Sequence, residues 1–284
     1  MIKGIILDVD GVIVGEKIGY NSPYPHPEVI ARLKGIEEKG VPISLCSGKP
    51  HNSIEKIIRD ANLHNLHITN GGSVVIDPID NVLLKSHTLD KKAAHTVLEV
   101  FLQNGFYSEI YTVEEYFIQA DQKRPLTEIH TYIMQNAPHV VDSLLAVIDT
   151  LDVVKIMPVA QNEGEKQKLA ALFKPYEHLL TLSWGVHPIA NPHQFGIVTA
   201  KGISKQQAVA EIAERTGIRE DEFLGVGDST SDWQFIEQCG YAGSLSNGSS
   251  ELKELITTKG SRGYIAKNSV DDNGILQVFD YFNL

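Results

Sequence analysis

The sequence predicts an α/β protein: a Rossmann-like parallel sheet with helices on both faces, interrupted by an inserted α+β domain. Three observations carry that prediction. Short apolar runs alternate with helical patterns between residues 4 and 69. The same alternation returns from residue 188 to the C-terminus. Between them, residues 84–187 mix helices and strands without that regular order. The expected division is therefore a core of 1–83 and 188–284 with a cap-like insert of 84–187.

The elements follow in order. Residues 4–9, "GIILDV", form a continuous apolar run that suits a fully buried strand. Pro27 fits the first turn of a helix, with Ile30, Leu33 and Ile36 at helical spacing and Gly40 as its C-terminal cap. "VPISLCSG" is the second strand, 52–61 a second helix, and "LHIT" a third strand followed by "NGG". Strands joined by helices in this way lie parallel, with right-handed crossovers. In the insert, "DKKAAHTVLEVFLQNG" reads as a helix, "EYFIQA" and "DVVKIMPVA" as strands, and 127–135 and 139–148 as two successive helices. Ser204 and Gln207 make a capping box that opens a helix whose apolar stripe is Ala208, Val209 and Ile212, and Gly217 ends it. "EFLGVGD" is a strand, "WQFIEQCG" a helix, "YAGSL" a strand and 251–258 a helix.

Composition narrows the function classes. The chain has 284 residues, 42% of them hydrophobic, and a formal net charge of −11. That charge argues against a nucleic-acid partner, whose phosphates call for a basic surface. No apolar run approaches the length of a membrane helix, and "MIKGIILD" lacks the layout of a secretory signal. Two cysteines, Cys46 and Cys239, offer no disulfide framework and suit a reducing cytoplasm. Cys46 reads as a small apolar strand residue. Oligomeric state is not legible.

Two strands end in acids. Asp8 and Asp10 close the first, and Asp228 closes the "EFLGVGD" strand, with Asp232 four residues on. Ser47 and Asn70 end two more strands at the same expected sheet edge, where ligands of open α/β sheets gather. Alternation along a strand puts Asp8 and Asp10 on one face, so four carboxylates would share one small volume. Such a cluster calls for a cation, and a hard divalent ion such as Mg²⁺ matches oxygen donors. Lys205, at a helix start, would add a fixed positive charge.

These residues make the sequence resemble the haloacid dehalogenase superfamily of phosphohydrolases. "DVDGV", "LCSGKP", Lys205 in "KGISKQQAV" and "GVGDSTSDW" are similar to its four motifs, in order. The gap from Lys205 to Asp228 and the place of the insert resemble the subgroup with a large α/β cap, of the Cof-like, sugar-phosphatase-like kind. The resemblance implies Asp8 as nucleophile, forming an aspartyl-phosphate. It implies Asp10 as general acid and then base, Ser47 and nearby amides as phosphoryl contacts, and Lys205 as a charge stabiliser. It implies Mg²⁺ bound by Asp8, the Asp10 carbonyl and Asp228, with Asp232 direct or one layer behind. Gly11, Gly48, Lys49, Asn70 and Ser231 are the further candidates for substrate contact. Lys49 stands where an arginine is usual and lacks its bidentate fork. Ser231 stands where an asparagine is common, and its hydroxyl reaches less far.

Singly, each signature has a plainer meaning: a turn, a solvated lysine, a strand-end hydroxyl. Four in order, each at a strand end or helix start, point to one pocket. Asn70 fits either a substrate contact or a left-handed turn. His64 and His67 lack the partners of a zinc site and read as surface or packing residues. Trp184, His187 and His193 read as a packed return from the insert, with substrate contact the lesser reading. Tyr111, Tyr116 and Lys123 are candidates to line the cleft by position alone. The expected activity is Mg²⁺-dependent hydrolysis of a small phosphorylated metabolite, a sugar phosphate or short phosphorylated acid. The alternatives are phosphomutase-like transfer to an acceptor alcohol, or an idle binding module of the same fold.

Overall fold

The computed structural model describes residues 1–79 and 82–284, without the side chains of Val82 and Ala208. Five parallel strands form the core sheet: β1 (Gly4–Leu7), β2 (Ile43–Leu45), β12 (Phe223–Val226), β13 (Tyr241–Ser244) and β14 (Gly263–Ile265). Their order is β14-β13-β12-β1-β2, which makes β1 and β12 neighbours. The two acid-tipped strands are thus adjacent, as expected.

Alternation along β1 explains the layering. Ile5 and Leu7 face one side, where they pack with helix α1 (Pro27–Glu38) through Val29, Leu33 and Ile36, and with α10 (Gly274–Tyr281) through Ile275, Val278 and Phe279. Ile6 faces the other side, against α7 (Lys205–Thr216), α8 (Trp233–Ile236) and α9 (Ser250–Thr257) through Val209, Ile212, Phe235, Ile236, Leu252 and Ile256. A strand buried on both faces reads as a continuous apolar run, which is why "GIIL" shows no polar alternation. Ala208, the other apolar position expected on α7, has its side chain outside the described ones. The expected third parallel strand, β3 (His67–Thr69), is not part of the core sheet: it meets the end of β2 only at the parallel bridge Cys46–Ile68 and pairs antiparallel with β4 (Val74–Asp77), which pairs with β5 (Val82–Ser86).

The inserted part is built on a six-stranded sheet of order β10-β11-β9-β6-β7-β8. Its strands are β6 (Ser108–Tyr111), β7 (Tyr116–Gln119), β8 (His139–Val141), β9 (Lys155–Ala160), β10 (Leu180–Val186) and β11 (Gln194–Ala200). Three helices cover one face: α3 (Lys91–Gln103), α5 (Leu144–Ile148) and α6 (Glu163–Phe173), by way of Val97, Phe101, Leu144, Ile148, Leu169 and Phe173. The opposite face carries Tyr107, Tyr111, Met157, Val159 and Phe195, with α4 (Pro125–Met134) packed on it through Ile133 and Met134.

The structure differs from expectation in three further places. Residues 139–148 are not one helix: His139–Val141 extends the sheet parallel to β7, and Ser143 caps the short helix Leu144–Ile148. Sheet pairing supplied what the local apolar pattern did not record. The insert's sheet also runs past the expected return at residue 188, because β11 pairs with β10 and β9 up to Ala200. The S-x-x-Q box is not reciprocal: Ser204 Oγ accepts from Gln206 N and donates to Gln207 Oε1. Among the described residues, no helix is long and apolar enough to cross a membrane.

Candidate active site

The site lies beyond the C-terminal ends of β1 and β12. Asp8 follows β1 directly, and its backbone N–H bonds to Val226 O of β12 at 2.9 Å. The chain then turns through Gly11, at φ +80°. A methyl group there would lie 2.0 Å from Asp228 Oδ2, so glycine is needed both for the turn and for the approach of Asp228. Gly72 does comparable work for Lys205. It sits at φ +107°, and a Cβ would lie 2.3 Å from Ser204 O, against the start of α7.

Lys205 Nζ donates to Asp8 Oδ1 (2.8 Å) and to Asp232 Oδ1 (2.7 Å). Asp232 is fully buried, and its Oδ2 accepts from Asp228 N (3.1 Å), Ser229 N (3.1 Å) and Ser229 Oγ (2.9 Å). Both Asp232 oxygens are therefore engaged by the protein. Carboxylate oxygens of Asp8, Asp228 and Asp232 lie within 4.8 Å of one another. Burial, followed by the charge of Asp232, pushes the Asp8 carboxyl up to about 7 against the pull of Lys205. Burial and the charges of Asp232 and Asp8 likewise hold Asp228 well above the usual carboxylate range. Three crowded acids against one lysine leave an unbalanced negative charge. An all-oxygen donor set of this kind fits a hard divalent cation.

Asp10 departs from expectation. It does not join that trio. Its Oδ1 instead accepts from Lys49 Nζ (2.6 Å) and lies 3.1 Å from His187 Nε2. Residues beyond Leu7 leave the strand, so simple alternation no longer governs where Asp10 points. Although burial acts upward, Lys49 and His187 together hold the Asp10 carboxyl well below the usual range. His187 Nδ1 accepts from Ile189 N (3.2 Å), which leaves the ring proton on Nε2 to donate to Asp10. Burial shifts the His187 imidazole downward, opposed by Asp10. Lys49 is itself 4% exposed, so it is a built part of the site rather than a solvated charge.

The other sequence candidates divide. Asp8, Asp10, Gly48, Lys49, Lys205, Asp228 and Ser231 line a cleft between core and insert. Ser47 is buried behind it, where its hydroxyl accepts from Lys49 N (3.1 Å). Gly11 and Asp232 shape the wall from behind. Asn70 occupies a left-handed turn (φ +51°), is fully buried, and does not line the cleft. Tyr111, Tyr116 and Lys123 do not line it either; His130, Met157, Trp184, His187 and Phe195 do.

Residues 5–279 match the haloacid dehalogenase-like hydrolase family. The chain belongs to that family. As a member of the haloacid dehalogenase-like hydrolases, it is 22% identical to the phosphatase YwpJ of Bacillus subtilis, over 89% of this chain and 92% of that one. It is 20% identical to the 5-amino-6-(5-phospho-D-ribitylamino)uracil phosphatase YwtE of the same organism, over 98% and 97%. A haloacid dehalogenase-like hydrolase from Bacteroides thetaiotaomicron superposes with a TM-score of 0.81 at 18% identity, covering 99% of this chain and 100% of that one. In this hydrolase, as in the sequence reading, the four motifs meet at one sheet edge. His187 was the residue undervalued from sequence. Its only signal was its place near the return from the insert, in "WGVHPIANPHQFG".

Proposed function

We propose that this hydrolase cleaves small phosphomonoesters through an aspartyl-phosphate on Asp8. The observation that carries the reading is the Lys205 bridge between Asp8 and Asp232, set beside Asp228 at the floor of the cleft. A carboxylate next to a lysine ammonium and a cation-seeking acidic cluster is built to receive an anion.

In the first step an Asp8 oxygen attacks phosphorus, the bond from phosphorus to the ester oxygen breaks, and Asp10 gives its proton to the departing alcohol. In the second step water attacks phosphorus and gives a proton to Asp10. The bond to Asp8 breaks, and inorganic phosphate leaves. Asp10 begins as a carboxylate held by Lys49 and His187. A phosphoryl oxygen that draws Lys49 away weakens that hold, so Asp10 takes up from solvent the proton it then delivers; the proton gained from water in the second step returns to solvent once phosphate leaves and Lys49 reclaims the carboxylate. His187 keeps the Asp10 carboxyl oriented throughout. Gly48 and Ser231 line the phosphoryl end, while Ser47 shapes the turn that presents Lys49.

Asp8, Asp228 and the Asp10 carbonyl would hold Mg²⁺, which when bound supplies the positive charge that masks repulsion between the Asp8 carboxylate and the incoming phosphate. Asp232, with both oxygens already engaged, braces Lys205 and the Asp228 loop rather than adding a free ligand. The phosphatase names of YwpJ and YwtE support the same reaction class.

The test is phosphate release from para-nitrophenyl phosphate with Mg²⁺, wild type against Asp8→Asn. Loss of the nucleophile lowers turnover by about a thousandfold or more. Turnover that persists in Asp8→Asn rejects the covalent route.

A further inference from the structure

The cap end of the cleft is chemically unlike its catalytic floor. Ile133, Met134, Met157, Phe195 and Ile197 line it, whereas the Trp184 ring turns to the helix-covered face of the cap sheet. The polar side chains that the cap brings there are few: Ser183, His187, which is committed to Asp10, and His130, while Gln234 lines the cleft from the core side.

His130 is held with unusual care for a residue outside the four motifs. It is 2% exposed, its ring stacks on Phe195 at 5.2 Å, and its Nδ1 lies 2.9 Å from Glu109 Oε1. Glu109 is fully buried and also accepts from the hydroxyls of Tyr107 (2.7 Å) and Tyr111 (2.5 Å). Glu109 and Tyr111 alternate along β6, and Tyr107, just before the strand, keeps the same spacing, so all three face the cleft side of the cap sheet. A carboxylate accepting three bonds fixes the His130 ring and requires its Nδ1 to donate. Nε2 has no protein partner among the described residues, while the ring lines the cleft. A polar atom without a protein partner at the wall of a substrate chamber is positioned for a ligand.

Building on the phosphomonoester reading above, we propose that the cap end receives the substrate's leaving alcohol as a flat, largely apolar ring with one hydrogen-bonding edge on His130 Nε2. A polyol chain fits poorly. Each of its hydroxyls would give up water in a wall of methionine, isoleucine and aromatic carbon with too few partners to replace it. A planar ring instead meets polarizable sulfur and aromatic faces. Glu109 is then a positioning residue and His130 a specificity-determining one.

The experiment compares benzyl phosphate, 3-hydroxybenzyl phosphate and glucose 6-phosphate on the full chain with Mg²⁺. The expected kcat/KM order is 3-hydroxybenzyl over benzyl over glucose 6-phosphate, with steps of about tenfold. His130→Ala raises KM for 3-hydroxybenzyl phosphate until its advantage over benzyl phosphate is gone, and His130→Gln, which keeps a polar tip, restores part of it. Glucose 6-phosphate matching or beating benzyl phosphate overturns the proposal, and so does a hydroxyl advantage that survives His130→Ala. The same three esters are titrated onto Asp8→Asn by isothermal calorimetry, with and without His130→Ala. If wild type releases phosphate from none of them, the hydrolytic reading falls. The ring preference then stands or falls on the order of affinities in that titration.

Discussion

Gly11 shows how one residue without a side chain sets the acidic trio. Its φ of +80° is a conformation other residues resist, and the space where a Cβ would sit belongs to Asp228. Gly11→Ala is expected to cost roughly 1–3 kcal/mol of stability and to push Asp228 away from Asp8. Chemical denaturation gives the first effect. A weakened Mg²⁺ dependence of phosphate release gives the second, and an unchanged dependence would contradict this account of the turn. Asp10 and Lys49 give a second lesson at this scale. Lys49 fills its position, because its ammonium is buried against Asp10 at 2.6 Å. A point charge suffices for that contact, where a bidentate grip would have needed the fork.

Strand β9 carries a lysine into the seam between core and cap. Lys155 is fully buried, donates to Gly48 O at 2.9 Å, and lies over the Tyr111 ring at 3.6 Å. It thereby ties the cap sheet to the loop that presents Lys49. Burial shifts its ammonium down to about 7, with Glu109 opposing. Between that value and the usual lysine range, the unfolded chain binds more protons than the folded one, so this group makes folding more favourable as pH rises. Wild type should gain stability over Lys155→Met from pH 7 to pH 9.5, with a slope no steeper than about 1.4 kcal/mol per unit. Urea unfolding of both proteins at the two pH values measures it. A parallel response of the two proteins would show that the buried ammonium does not titrate there. Short core–cap bonds from Ser53 Oγ to Met134 O (2.7 Å) and from Asn52 Nδ2 to Glu114 O (2.8 Å) extend the same seam.

Across the whole molecule, charge balance and fold are coupled at the sheet edge. Asp8 and Asp228 are brought together by two strands far apart in sequence, and folding without a cation leaves them repelling. A bound divalent ion should therefore stabilise the folded protein as a whole. At a hundredfold excess over its dissociation constant, Mg²⁺ adds about 2.7 kcal/mol, a melting shift of roughly 5 °C or more at this size. Thermal melts with and without MgCl₂ check it. The shift should be lost in Asp228→Asn, and a shift that persists there would move the ion elsewhere.

Much of this protein was legible in one dimension because its signals are local. Continuous apolar runs specify strands buried on both faces, and an acid, a hydroxyl or a helix start after each run specifies the sheet edge. That is how Asp8, Lys205, Asp228 and Asp232 were assigned to one pocket, and how the family resemblance arose. What the tertiary structure alone decided depends on pairing and direction. The separation of Asp10 from the acidic trio, the union of His187 with Asp10, and the placement of β11 in the cap sheet all come from contacts between distant segments. So does the Glu109–His130 pair, whose members are 21 residues apart. Burial converts such residues from ordinary polar letters into fixed groups, and burial is a property of the folded surface rather than of any short stretch of chain.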